Sequence, residues 1–73
     1  MFTNLNILMI NNKVNVSDLA NVLETTERVI SNRLSGNTEF KLDEMLKIKK
    51  KFFPDYTLDQ IFDDTIKLIE NIK

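Results

Sequence analysis

Cysteine, histidine and tryptophan are all missing from this 73-residue chain, and glycine and proline occur once each. Without thiols or imidazoles there are no disulfides, zinc fingers, thiol nucleophiles or histidine-mediated proton transfers. With only Gly36 and Pro54 to break the backbone, the chain is expected to be nearly all helix. Long apolar runs are missing too. Ile7-Leu8-Met9-Ile10 is the longest, too short to cross a bilayer or to form the core of a signal peptide. No membrane partner is expected, and an intracellular location follows by default.

A surplus of one charge is also lacking. The net charge is −1, which does not favour a polyanionic partner, so the distribution matters more than the sum. Residues 1–40 set Lys13, Arg28 and Arg33 against Asp18, Glu24, Glu27 and Glu39. Residues 41–53 are basic, with Lys41, Lys47, Lys49, Lys50 and Lys51 against Asp43 and Glu44. Residues 54–73 are acidic, with Asp55, Asp59, Asp63, Asp64 and Glu70 against Lys67 and Lys73. Charge runs on helices ordinarily face water, and the 47–51 lysines are read that way.

What is present is helical periodicity in a single small domain, residues 1–73. A first helix is expected from about Thr3 to Asn12, capped by Thr3 or Asn4, with Phe2, Leu5, Leu8 and Met9 on one face. Ile7 and Ile10 fall off that face. Asn15 is the expected cap of helix two, with Asp18 in its first turn and Leu19, Val22 and Leu23 inward. Thr25 or Thr26 caps helix three, which turns Val29, Ile30 and Leu34 inward and Glu27, Arg28, Ser31 and Asn32 outward. Gly36 stops it. Helix four takes Leu42 to about Phe53, with Leu42, Met45, Leu46, Ile48 and Phe52 as core candidates and Phe40 packing from the loop. After a turn at Pro54-Asp55-Tyr56, Thr57-Leu58-Asp59-Gln60 has the capping-box pattern. A fifth helix is expected from about 57 to 72, with Ile66, Ile69 and Ile72 as a possible dimer or partner surface.

Nothing in the chain favours catalysis. It has no nucleophile–base pair, phosphate-binding glycine loop or metal-ligand cluster, and the adjacent Asp63 and Asp64 point different ways on a helix. No enzyme activity, cofactor, metal or small-molecule substrate is expected.

Asn15, Leu19-Ala20, Leu23, Thr26, Ile30-Ser31 and Gly36 are spaced as in a helix-turn-helix over about residues 16–35. The run Arg33-Leu34-Ser35-Gly36-Asn37-Thr38-Glu39-Phe40-Lys41-Leu42-Asp43-Glu44 is similar to the K-L-N-G-K-x-x-F-T-L-x-E run of small phage repressors. Phe53-Pro54-Asp55-Tyr56-Thr57-Leu58-Asp59-Gln60-Ile61-Phe62 looks like their F-P-D-Y-S-L-D-x-L-F ending. On these three motifs, from about Leu5 to Phe62, the chain resembles the lambda-repressor and Cro-type helix-turn-helix family, also called the XRE family. The resemblance implies an all-α, five-helix bundle with a lambda-repressor-like helix-turn-helix, here with an extended C-terminal helix. It also implies a phage-type transcription regulator acting in the cytoplasm of a bacterial host.

The chain departs from the family pattern at several positions. Met9 and Leu34 stand where many members pair an Arg with a Glu, a swap that packed hydrophobes tolerate. Val16 replaces a usual Gln, and Glu24 replaces the glycine of the inter-helix turn, a position prone to positive φ. Glu27 opens the exposed face of helix three where a cation or Gln would normally reach bases.

The resemblance makes Val16, Ser17, Thr26, Glu27, Arg28, Ser31, Asn32, Asn37 and Thr38 the candidate DNA- or partner-binding residues. Arg pairs with guanine and Asn with adenine, so Arg28 and Asn32, four apart on one helix face, are the base-reading candidates. Thr26, Ser31, Asn37 and Thr38 suit phosphate contacts. Two mechanisms follow. In the first, helix three reads operator DNA, with a homodimer on a two-fold site. In the second, an anti-repressor or modulator of repression docks on a phage repressor protein and hides that repressor's DNA-binding surface. Glu24, Glu27 and Val16 suit the second, because an acidic, partly apolar surface matches a basic domain better than phosphate.

Overall fold

The computed structural model describes residues 2–65. They form five helices: α1 (Thr3–Asn11), α2 (Val16–Leu23), α3 (Glu27–Leu34), α4 (Leu42–Phe52) and α5 (Leu58–Phe62). No strand occurs among the described residues, as the scarcity of helix breakers predicts. The core gathers Leu5, Leu8 and Met9 of α1, Leu19 and Ala20 of α2, Ile30 of α3, Ile48 of α4 and Ile61 of α5. Phe40 and Phe53 enter it from the segments flanking α4.

The helix starts follow side-chain chemistry. Asn15 Oδ1 accepts from the Asp18 amide at 2.9 Å while Asp18 Oδ2 accepts from the Asn15 amide at 3.0 Å, a complete capping box. Thr26 Oγ1 accepts from the Val29 amide, and Thr57 and Gln60 close a second reciprocal box at α5. At α4 only the reciprocal half forms: Glu44 accepts from the Lys41 amide, because a lysine side chain has no acceptor to return.

The ends of α1, α2 and α3 share one backbone device. In each, a residue with positive φ reverses the chain while two amides reach back to the last turn. At α3 the residue is Gly36 (φ 89°), with Asn37 N donating to Asn32 O and Gly36 N to Arg33 O. At α1 it is Lys13 (φ 58°), and at α2 it is Glu24 (φ 56°). Glu24 thus holds, with a side chain, a conformation that glycine takes at no steric cost.

Three expectations from the sequence need correction. First, α1 begins without a side-chain cap of its own, since Phe2 occupies the cap position. Its first amides donate instead to Asp64: Thr3 N to Oδ2 at 2.8 Å and Asn4 N to Oδ1 at 2.9 Å. Asn4 is freed for another task. Only 5% exposed, it donates through Nδ2 to the carbonyls of Gln60 and Asp63 at the end of α5.

Second, Leu42 and Leu46 are not core residues. They are 60% and 40% exposed, because Met45, Ile48 and Phe52 define the inward stripe of α4 and those two leucines lie roughly a quarter turn or more away.

Third, one continuous helix over 57–72 does not occur. α5 stops at Phe62, Asp63 is extended (φ −104°, ψ 102°), and its carboxylate accepts from the Thr65 amide and hydroxyl. Asp64 then turns toward α1. Ile66, Ile69 and Ile72 lie outside the described residues.

Among the five helices, α2 packs on α3 and α4, while α5 packs on α4 and α1. The order of neighbours is therefore α3, α2, α4, α5, α1, and the backbones of its two end members, α1 and α3, do not approach one another. Phe2, Phe40 and Phe62 close the α1–α5 corner as three mutually edge-on rings, with centroids 5.3 to 6.2 Å apart.

Candidate recognition surface on α2 and α3

Two short helices are joined here by the Glu24–Thr26 turn. α2 buries Leu19 and Ala20, and α3 buries Ile30, so the pair is anchored by few side chains and its remaining faces stay open. Thr26, Glu27, Arg28 and Ser31 are exposed along the first two turns of α3. Asn32 is half-buried rather than fully outward. Its carbonyl accepts from both Asn37 N and Thr38 N, which ties the residue to the turn that ends the helix. Asn37 and Thr38 are exposed just beyond. Val16 and Ser17 are half-buried, with Val16 packed against the core, so neither presents a whole side chain to a partner.

Glu27, Arg28 and Ser31 share an open edge, and Thr26 caps its start. Val16 is drawn inward as the apolar member of the set, as its side chain dictates.

Sequence reasoning missed the role of Arg33. Its Nε and Nη2 donate to the two carboxylate oxygens of Glu44 at 2.9 and 3.1 Å, and Nη1 donates to Thr38 Oγ1 at 3.1 Å. This two-pronged pair fastens the last turn of α3 to the first turn of α4. The Arg33 hydrogen bonds hold the Glu44 carboxyl below its ordinary range, assisted by the Lys41 amide and by the charge of Arg33, and against desolvation. The same bonds raise Arg33. The sequence carries little signal for it, since the two partners lie on different helices.

Arg33 is therefore committed internally, and Arg28 is the arginine of α3 that reaches solvent. The exposed carboxylates Glu24 and Glu27 lie nearby in sequence. In the lysine run, Lys49 donates to the carbonyl of Pro54, whereas Lys47, Lys50 and Lys51 are exposed. Thr38 is held on one side by Arg33.

Behind the same helix lies an open groove of about 380 Å³. Phe2, Thr3, Asn6 and Ile7 form one wall, and Ser31, Leu34 and Ser35 of the α3 end form the other. Among the described residues no charged side chain lines it. Among the described residues no cluster of three or more metal-ligating side chains occurs, and no helix is long and apolar enough to cross a membrane.

No family model matches the chain, and neither a curated protein nor a solved structure matches it.

Proposed function

We propose that α2 and α3 form a helix-turn-helix and that the chain is a phage-type transcription regulator reading operator DNA through α3. The observation that carries this reading is the open edge of α3, where Thr26 caps a helix start whose next turns expose Glu27, Arg28 and Ser31. A helix N-terminus presented outward brings backbone amides and a favourable dipole toward phosphate. On this reading Arg28 pairs with a guanine, and the half-buried Asn32 follows four residues on. Two copies on a two-fold operator would set their α3 helices in major grooves about 34 Å apart.

A second reading has its own support. With Arg33 withdrawn to Glu44, the solvent-facing charge around α3 is Arg28 against Glu24 and Glu27. That balance suits the basic surface of another DNA-binding protein, so the same edge would serve an anti-repressor that covers a repressor.

Titrating the protein against its own promoter DNA at about 50 and 200 mM salt separates the two. Operator recognition requires affinity that falls with salt and a loss of base discrimination of about 1–3 kcal/mol in Arg28→Ala. An absence of DNA binding even at the lower salt, together with tight binding to a companion repressor, would leave the second reading. In that case Arg28→Ala has little effect and Glu27→Lys weakens the complex.

A further inference from the structure

α4 carries two apolar stripes, and the core accounts for one of them. Met45, Ile48 and Phe52 face inward, whereas Leu42 and Leu46 remain 60% and 40% exposed. Those two leucines are one helical turn apart, about 6 Å, so they form a short continuous strip. Lys50 stands one turn further along the same line, and Lys47 flanks it.

The charge around the strip is mostly positive. Exposed Lys47, Lys50 and Lys51 stand against exposed Asp43, in a chain whose net charge is −1. The other charges of α4 are engaged already, Glu44 with Arg33 and Lys49 with the Pro54 carbonyl. Strip and lysines together suit an occupant that offers aliphatic side chains and carboxylates.

Three other occupants fail on this chemistry. A second copy of α4 brings the same lysines face to face, and like charges across an interface repel. Duplex DNA satisfies the lysines but leaves both leucines against phosphate. A lipid surface accepts leucines and lysines alike, yet two leucine side chains bury less hydrocarbon than one myristoyl chain, which itself holds a protein only marginally. A helix has the matching shape, since the eleven residues of α4 present the strip along a straight rod about 16 Å long.

We propose that the outer face of α4 docks an acidic amphipathic helix of another protein. Its aliphatic residues, spaced three or four apart, pack on Leu42 and Leu46, and its carboxylates meet Lys47 and Lys50. Docking on α4 is independent of whether the edge of α3 reads DNA or protein.

The test uses the full chain and two synthetic helix-forming peptides, identical except that one carries glutamates and the other lysines around two leucines four residues apart. Fluorescence anisotropy should show binding of the glutamate peptide that weakens several-fold between about 50 and 200 mM salt, with amide shifts in NMR spectra centred on residues 41–51. Replacing both leucines, Leu42→Gln with Leu46→Gln, should weaken it about tenfold. Lys47→Glu with Lys50→Glu should transfer the preference to the lysine peptide, a gain that an unfolded variant could not show. Arg28→Ala should leave binding unchanged, which separates this face from the edge of α3. Equal binding of the two peptides, binding that survives the leucine substitutions, or no binding at about 1 mM peptide overturns the proposal. Tighter binding of the same face to phosphatidylglycerol vesicles or to duplex DNA overturns it in favour of those surfaces.

Discussion

Along α2 and α3 the polar ties that start and end each helix are local: Asn15 with Asp18, Thr26 with Val29, Asn37 with Asn32. At the corner of α1 and α5 the ties from Thr3 and Asn4 to Gln60, Asp63 and Asp64 span 56 to 61 positions of sequence. The apolar contacts follow the same division, with three aromatic rings from distant segments at the corner and single buried side chains along α3. The first arrangement leaves a surface open. Short-range caps define the helices of the edge without using the faces they present, while the long-range corner carries the burden of holding the ends together.

Several substitutions would sharpen this contrast. Phe40→Ala should have the largest effect, about 3–4 kcal/mol, since it opens a cavity and removes two edge-on ring contacts at the corner. Urea denaturation monitored by circular dichroism measures it, and a loss below about 1 kcal/mol would mean that the corner is not the stabilising half.

Next comes the clasp between α3 and α4. Glu44→Gln is expected to cost about 2 kcal/mol, because it leaves Arg33 short of its charged acceptor and weakens the α4 start. The sign of its pH dependence is fixed. The Glu44 carboxyl titrates lower folded than unfolded, so its contribution is complete above the ordinary value of 4.5 and is lost as pH falls through the folded value. Wild-type stability should therefore decline below about that pH more steeply than that of the Glu44→Gln variant, as thermal melts between neutral pH and pH 3 would record.

Asp64→Ala and Thr26→Ala form a pair, the first removing a carboxylate that accepts two amides, at about 1–2 kcal/mol, and the second a hydroxyl that accepts one, at about 1 kcal/mol. The pair should differ in where the damage spreads. Hydrogen exchange is expected to accelerate in both α1 and α5 for the first, and in α3 alone for the second. Equal spreading in the two variants would erase the distinction between the halves.

Glu24→Gly should give the smallest change, a gain of about 0.5 kcal/mol. Relief of a left-handed conformation at φ 56° is partly offset by the greater freedom of glycine in the unfolded chain. A rise of a few degrees in Tm is the readout, and a fall would show that the Glu24 side chain makes a stabilising contact of its own.

The same division explains what was legible in the sequence. Asn15, Thr26 and Thr57 announce their helices because a cap and its amide lie three residues apart, and Gly36 announces an end for the same reason. Phe40 and the Pro54 turn were readable from the spacing of apolar residues and from the ring of proline. The acceptor for the start of α1 was not readable, because nothing near Thr3 signals an aspartate sixty positions later. Leu42 and Leu46 misled in the opposite sense. Both fit a helical apolar pattern, yet Ile48 and Phe53 fill the available core.

At the candidate surface the pattern placed Glu27, Arg28 and Ser31 correctly on an open face, but it left Arg33 unassigned. Its partner Glu44 belongs to another helix, and periodicity within one helix carries no information about it.

Asp64 supplies what the opening turn of α1 lacks, and it is among the last of the described residues to be synthesised. Until it emerges, a nascent α1 has two uncompensated amides at its start, while α2 and α3 already carry their own side-chain caps, Asn15 and Thr26. Folding on the ribosome should accordingly begin in the middle of the molecule and finish at its front, with the α2–α3 edge formed before the first helix is secured. Pulse-labelled exchange during refolding would register that order as early protection of amides in α3 and late protection in α1.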